Sequence, residues 1–104
     1  METKTLTLSD ILQDIHACDD DMRTYERKYG ILTSTFYAAY SAGEEPPHIS
    51  WLGDWHDWAA AYEIWQRRQT QYQAAIDVLQ QETPLITLIE KAALRESIPV
   101  PARV

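Results

Sequence analysis

The chain has 104 residues, of which 45% are hydrophobic and 24% charged, with three glycines and five prolines; these values exclude wholesale disorder and fit a single domain built on one core. Nine basic against sixteen acidic side chains give a formal charge of -7, which removes any general attraction to a phosphate backbone or an anionic bilayer and favours a cationic or mixed-charge protein partner. Cys18 is the only cysteine, so an intrachain disulfide and a Cys-rich zinc site are both excluded, and a cytoplasmic setting is expected.

The opening residues, METKTLTLSDILQDI, lack the basic region and continuous apolar segment of a secretory signal, and no run reaches the length of a membrane helix. TKTLTL at residues 3 to 8 alternates partly between polar and apolar types, which suits a short strand or an extended arm over residues 1–8. Thr7 and Asp10 have the separation of a capping box. Beyond them Leu8, Ile11, Ile15, Cys18, Met22, Tyr25 and Tyr29 recur at steps of three and four, which predicts a first helix over about residues 9–29. Gly30 supplies the left-handed stop, with Arg27 and Lys28 near the negative end of the helix dipole.

Thr33 or Ser34 is placed to cap a shorter second helix carrying Phe36, Tyr37 and Tyr40, which Gly43 closes. Pro46 and Pro47 then impose a loop, EEPPHISWL, bearing Ile49, Trp51 and Leu52. Asp54 is placed to cap a third helix, in which Trp55, Trp58, Tyr62, Trp65, Tyr72, Ile76 and Leu79 follow the same spacing. Ala59, Ala60, Ala61, Ala74 and Ala75 widen that face and permit close approach of another helix, while Arg67 and Arg68 lie nearer the solvent side. Pro84 starts a last helix with Leu85, Leu88, Ile89, Ala92 and Ile98, which Pro99 and Pro101 end. The tail over residues 98–104 is extended, with Ile98, Val100 and Val104 as apolar anchors for a partner's groove or for its own domain.

The expected architecture is therefore all-α: a small helical bundle or a long antiparallel helical hairpin of the first and third helices, with shorter helices flanking it. The predicted core is Ile11, Ile15, Cys18, Met22, Tyr25, Tyr29, Phe36, Trp55, Trp58, Tyr62, Trp65, Tyr72, Ile76 and Leu79. One or two rings near the end of the aromatic stripe are expected to reach a partner. Trp51, beside the prolines, either folds inward or meets a partner.

Chemistry finds little to work with. Asp19, Asp20 and Asp21 could attract a basic protein or a cation, but successive helical positions diverge and cannot converge on one ion. His16 and Cys18 fail to share a helical face for the same reason, so Cys18 reads as a small core residue. His56 and Asp57, with Asp54, Glu63 or His48 nearby in sequence, form no H-E-x-x-H helix. The glycines make no phosphate loop and the serines no nucleophile elbow. No catalytic residues, metal or cofactor are therefore assigned, and the chain is read as noncatalytic. Arg67 and Arg68, with Arg23, Arg27 and Lys28, could help a dimer meet DNA, but the surrounding acid opposes it and no recognition helix follows.

At YERKYGILTSTFYAAYSAGE, followed by GDWHDWAAAYEIW, the chain resembles a group of small helical prokaryotic proteins encoded beside toxin genes and regarded as antitoxins or toxin-associated components. That group places KYG before a Ser/Thr-capped aromatic helix, then a Gly-Glu loop, then GD leading into an acidic and aromatic helix. The matching positions are Lys28, Tyr29, Gly30, Ser34, Phe36, Tyr37, Gly43, Glu44, Gly53, Asp54, Trp58, Tyr62 and Glu63, within residues 22 to 68. EPPHISWL, where the group has a short connection, and the long C-terminal continuation are departures from the pattern. The resemblance implies antitoxin activity in a toxin-antitoxin system by stoichiometric occlusion of a cognate toxin. Trp51 and the Ile98, Val100 and Val104 tail would cover a basic toxin surface or its active site; Asp19, Asp20 and Asp21, outside the matched positions, read from the residues alone either as a contact for a basic partner or as a solvated helix face. The competing expectation is a structural or adaptor subunit of a homo-oligomer, such as a homodimer, or of a larger assembly.

Overall fold

The structure, a computed structural model, describes residues 5–102 and 104. The first four residues of the expected arm lie outside the described residues. The fold is all-α, with α1 over Leu8–Tyr29, α2 over Thr33–Ser41, a single 3₁₀ turn over Ile49–Trp51, α3 over Leu52–Leu79 and α4 over Leu85–Ala93. Among the described residues there is no strand, and α1 packs antiparallel against the long α3.

Each boundary has a local cause. The Thr7 amide donates to Asp10 Oδ2 at 3.0 Å and the Asp10 amide to Thr7 Oγ1 at 3.2 Å, so the capping box forms although Asp is the shorter reciprocal residue. At the other end of α1, Gly30 takes φ 76° and its amide donates to the Glu26 carbonyl at 2.8 Å, the left-handed stop that a side chain would resist. α2 ends in a Schellman arrangement: the Gly43 amide donates to the Tyr40 carbonyl and the Glu44 amide to the Ala39 carbonyl, each at 3.1 Å. α4 ends in the same way through Arg95 and Glu96, but its left-handed residue is Arg95, at φ 61°.

Two expected caps are corrected. The residue preceding α2 is Leu32, which has no side-chain cap, and the side chain that satisfies the helix start comes from α1: Glu26 Oε2 accepts the Thr33 amide at 2.8 Å and the Thr33 hydroxyl at 2.9 Å. Neither Thr33 nor Ser34 caps its own helix, because a carboxylate accepting two donors is the stronger partner. Asp54 does not cap α3, which begins two residues earlier at Leu52 on the back of the 3₁₀ turn.

The chain packs as two compact units, one of residues 15–66 and the other of residues 1–14 with 67–104. In the first unit Met22, Phe36, Trp58, Ala59 and Ala61 form the buried centre, with Tyr25, Tyr29, Tyr37, Tyr40, Trp55, Tyr62 and Trp65 packed around it; Ile15 and Cys18 are also buried. In the second, Ile11, Ala75, Leu88 and Ile98 are buried, and Arg68 of α3 pairs with Asp14 of α1 at 2.9 Å. Arg68 is thus half-buried in an ion pair and not on the open solvent side. The predicted core residues Tyr25, Tyr29, Trp55, Tyr62, Trp65, Tyr72, Ile76 and Leu79 are half-buried, since large rings and long side chains on so small a scaffold reach the surface with one end.

Of the two courses expected for the tail, the residues around Ile98 take the one back along their own domain. The Leu8 amide donates to the Ile98 carbonyl and the Val100 amide to the Leu6 carbonyl, each at 2.9 Å, around an antiparallel bridge between Thr7 and Pro99. Leu6–Leu8 and Ile98–Val100 thus satisfy one another's backbone. Ile98 is buried and belongs to the core, and Val100 is half-buried. α4 stops at Ala93, so Ile98 is not part of its stripe.

Candidate functional site

The aromatic residues of the first unit organise around Trp58, which is 0% exposed. Its ring lies parallel to Phe36, 3.9 Å away with a 2° interplanar angle, and stacks more loosely on Tyr29 at 5.6 Å and Tyr25 at 5.8 Å. The indole N–H donates to Thr33 Oγ1 at 2.8 Å. Thr33 is the one buried polar residue among those described, and its hydroxyl passes its own proton towards Glu26 while accepting that of Trp58. One side chain from each of α1, α2 and α3 is joined by this relay, so the α3 stripe serves as core.

A second link ties the end of α1 to the start of α3. Asp54 Oδ2 accepts Lys28 Nζ at 2.6 Å and the Tyr29 hydroxyl at 2.7 Å. Both bonds favour the ionised carboxylate, with Lys28 the larger influence, and they hold the Asp54 carboxyl below the ordinary aspartate range. Burial, then the hydrogen bond to that carboxylate, pushes the Tyr29 hydroxyl up to about 12. Tyr37 is raised by its hydrogen bond to Glu63 Oε2, 3.0 Å long, and then by burial. These shifts accompany structural bonds that hold α2 and α1 to α3.

The candidate contact residues are distributed as follows. Trp51, of the first unit, is half-buried with its ring edge-on to Tyr29 at 5.2 Å and to His48 at 4.6 Å; it folds inward, although part of it remains accessible. Asp19 is half-buried and Asp20 and Asp21 are exposed, with Asp20 meeting Arg23 at 3.4 Å. The tail anchors belong to the other unit, where Val104 alone is classed as exposed. His56 is exposed and edge-on to Tyr40 at 6.4 Å, and Asp57 is exposed. Among the described residues no group of three His, Cys, Asp or Glu side chains converges on a metal position, and no described helix is long and apolar enough to cross a membrane.

Two surfaces emerge that the sequence reading did not single out. α4 buries Leu88 but exposes Ile86 at 71%, Ile89 at 62% and Leu85 at 48%. At 100° per residue these three project within one arc of roughly 100°, so α4 is apolar on its outer face as well as its inner one. Its run of LITLIEKAA contained this signal, since a surface helix of that length ordinarily carries a polar arc. In the first unit, a cleft of about 430 Å³ lies between the end of α2 and the start of α3, lined by Tyr40, Glu44, Glu45, Ile49, Trp55 and His56 among others.

No protein-family model, characterised protein or solved structure matches the chain.

Proposed function

We propose that this is a noncatalytic protein-binding protein that acts as an antitoxin, covering a cognate toxin stoichiometrically. The observation that carries the binding part is the outer face of α4, where Leu85, Ile86 and Ile89 stand exposed side by side. Clustered aliphatic surface on a small chain is an interaction surface when it is contiguous. The formal charge of -7 favours a basic partner, such as a toxin that itself binds RNA, and would speed the encounter. The identity of that partner as a toxin rests on the KYG, Gly-Glu and Gly-Asp pattern, and with it goes a cytoplasmic setting.

The contact set differs from the one expected. Ile98 is core, Trp51 is folded against Tyr29, and the α4 face takes over as the principal apolar anchor. Val104 and Asp20 and Asp21 remain available at the surface.

The test is purification of the native complex through a gently removed tag, with retained proteins identified by mass spectrometry and stoichiometry by native mass. A retained toxic protein whose activity returns when this chain is stripped away supports the reading. Recovery of this chain alone refutes a toxin partner and favours the second reading, a homo-oligomeric structural subunit. The same α4 face serves that reading, because two apolar helix faces can cover one another across a twofold axis.

A further inference from the structure

The cleft at the end of α2 has a chemistry of its own. Tyr40 and Trp55 supply aromatic surface, Glu44 and Glu45 supply carboxylates, and Ile49 and Leu52 supply aliphatic surface, with no lysine or arginine in the lining. Neither glutamate is ion-paired with a described residue. The negative end of the α2 dipole lies at the same place. Every one of these features favours a positive charge: ring faces attract cations, ionised carboxylates pair with them, and helix C-termini stabilise them.

The aliphatic part narrows the ligand. Ile49 is 89% exposed at the rim, a poor neighbour for a bare hydrated ion and a good one for the methylene stem that precedes a cationic head. A divalent metal would need converging oxygen ligands, and no such group of three occurs among the described residues. Nucleic acid would be repelled by the two carboxylates.

The walls are also set in place before any ligand arrives. The Glu44 backbone is held by the hydrogen bond its amide donates to the Ala39 carbonyl at 3.1 Å, Pro46 and Pro47 stiffen the loop that follows, the Trp51 amide closes the 3₁₀ turn on the His48 carbonyl at 3.0 Å, and Trp55 is held edge-on against Phe36 at 5.3 Å. A cleft so built gives up little entropy on binding. Apart from Glu44, the loop that forms it is EPPHISWL, the segment by which the chain departs from the pattern it resembles.

We infer that this cleft receives an arginine side chain presented by a protein partner, with the guanidinium between the Glu44 and Glu45 carboxylates and the Tyr40 and Trp55 rings and the stem along Ile49. Arginine is preferred to lysine because its planar guanidinium stacks on rings and forks onto carboxylates. This goes beyond the antitoxin reading and stands without it, since it concerns a side chain and not the identity of the protein that carries it.

The test uses the full chain, labelled with ¹⁵N, titrated with N-acetyl-arginine methylamide, with the uncharged citrulline analogue of the same shape, and with choline. The expected result is a saturable shift of the Trp55 indole N–H and the Glu44 and Glu45 amides with the arginine compound and none with citrulline. The Glu44→Gln/Glu45→Gln variant, both sites being exposed, keeps the wild-type spectrum elsewhere and binds about tenfold more weakly, while Glu90→Gln on α4 binds as wild type. Scattered or unsaturable shifts, equal binding of citrulline, or undiminished binding by the double variant would overturn the inference. Tighter binding of choline than of the arginine compound would also overturn it, by marking a site for a free quaternary ammonium molecule. Failure of the toxin reading appears in the purification and leaves this titration untouched.

Discussion

Replacing Trp58 by alanine removes the largest fully buried side chain. The loss has two parts. Deleting a buried Trp ring leaves a cavity that the neighbouring rings fill only in part, which costs about 3–5 kcal/mol. The site should lie at the upper end of that range, because Phe36, stacked at 3.9 Å, is itself held by α2 and cannot follow the missing ring. The lost N–H···Oγ1 bond to Thr33 contributes about 1 kcal/mol. Against a typical total of about 5–15 kcal/mol, this is enough to leave the variant marginal.

Two milder changes separate these parts. Trp58→Phe keeps a ring against Phe36 and removes the donor; Thr33→Val removes the acceptor and also the proton donated to Glu26. In a double-mutant cycle read from urea unfolding by far-ultraviolet dichroism, the Trp58→Phe and Thr33→Val pair should show coupling of about 0.5–1.5 kcal/mol. Thermal midpoints should fall by more than about 12 °C for Trp58→Ala. Superimposable unfolding curves for Trp58→Ala and wild type would refute the buried role, and strict additivity in the cycle would refute the relay through Thr33.

Glu26→Ala should cost about 0.5–2 kcal/mol in urea unfolding, because it strips the start of α2 of the side-chain acceptor that Thr33 uses; a cost no larger than that of Arg27→Ala at an exposed neighbour would contradict this. Stability should fall at both pH extremes. The depressed Asp54 carboxyl contributes fully above the ordinary aspartate pKa of about 3.9 and loses its contribution as acid passes below that value. Tyr29, with its hydroxyl pushed up to about 12, contributes fully below the ordinary tyrosine value and loses its contribution as pH rises towards about 12. Urea midpoints measured against pH should therefore flatten on the acid side in Asp54→Asn and on the alkaline side in Tyr29→Phe. Arg95→Gly should raise stability by at most about 1 kcal/mol, by relieving the left-handed conformation at φ 61° against the entropy cost of glycine. Ile86→Lys with Ile89→Lys on α4 should leave the unfolding midpoint within about 0.5 kcal/mol of wild type while abolishing retention of the partner or self-association seen by native mass.

The helices were legible because their causes are local. The stripe from Leu8 to Tyr29 is a three-four pattern closed by Gly30, and α1 runs from Leu8 to Tyr29. The capping of α2 was not legible: Glu26 stands seven residues before Thr33, outside any capping window, and reaches it because the chain turns back at Gly30. Ile98 illustrates a different limit. Its neighbours in sequence are polar or proline, and only the pairing of Leu8 and Val100 with partners across the Thr7–Pro99 bridge turns it inwards. The half-buried rings of Tyr62 and Trp65 follow from size, since periodicity gives the direction of a side chain but not how much cover the scaffold can provide.

The concentration of three tryptophans between residues 55 and 65 is at first sight the mark of a contact surface, since Trp and Tyr dominate binding hot spots. The structure assigns those rings mainly to the interior. Trp58 is sealed by Phe36, Tyr25 and Tyr29, and Trp65 stacks on Tyr62 at 5.9 Å. What reaches solvent in quantity is aliphatic: Ile49 on the loop and Leu85, Ile86 and Ile89 on α4. A small domain with few large aliphatic residues in its first unit uses flat rings to fill that core, because stacked rings bury more area per residue than any aliphatic side chain. The aromatic cluster thus explains how the fold is held, and the exposed aliphatic residues are the ones left over from that task. Trp55 is the exception that joins the two roles, fixed to Phe36 by one contact and lining the acidic cleft with another part of its surface. A cleft wall anchored in the core has its geometry before any ligand arrives, which is the condition under which two surface carboxylates and an exposed isoleucine could select the arginine side chain inferred above.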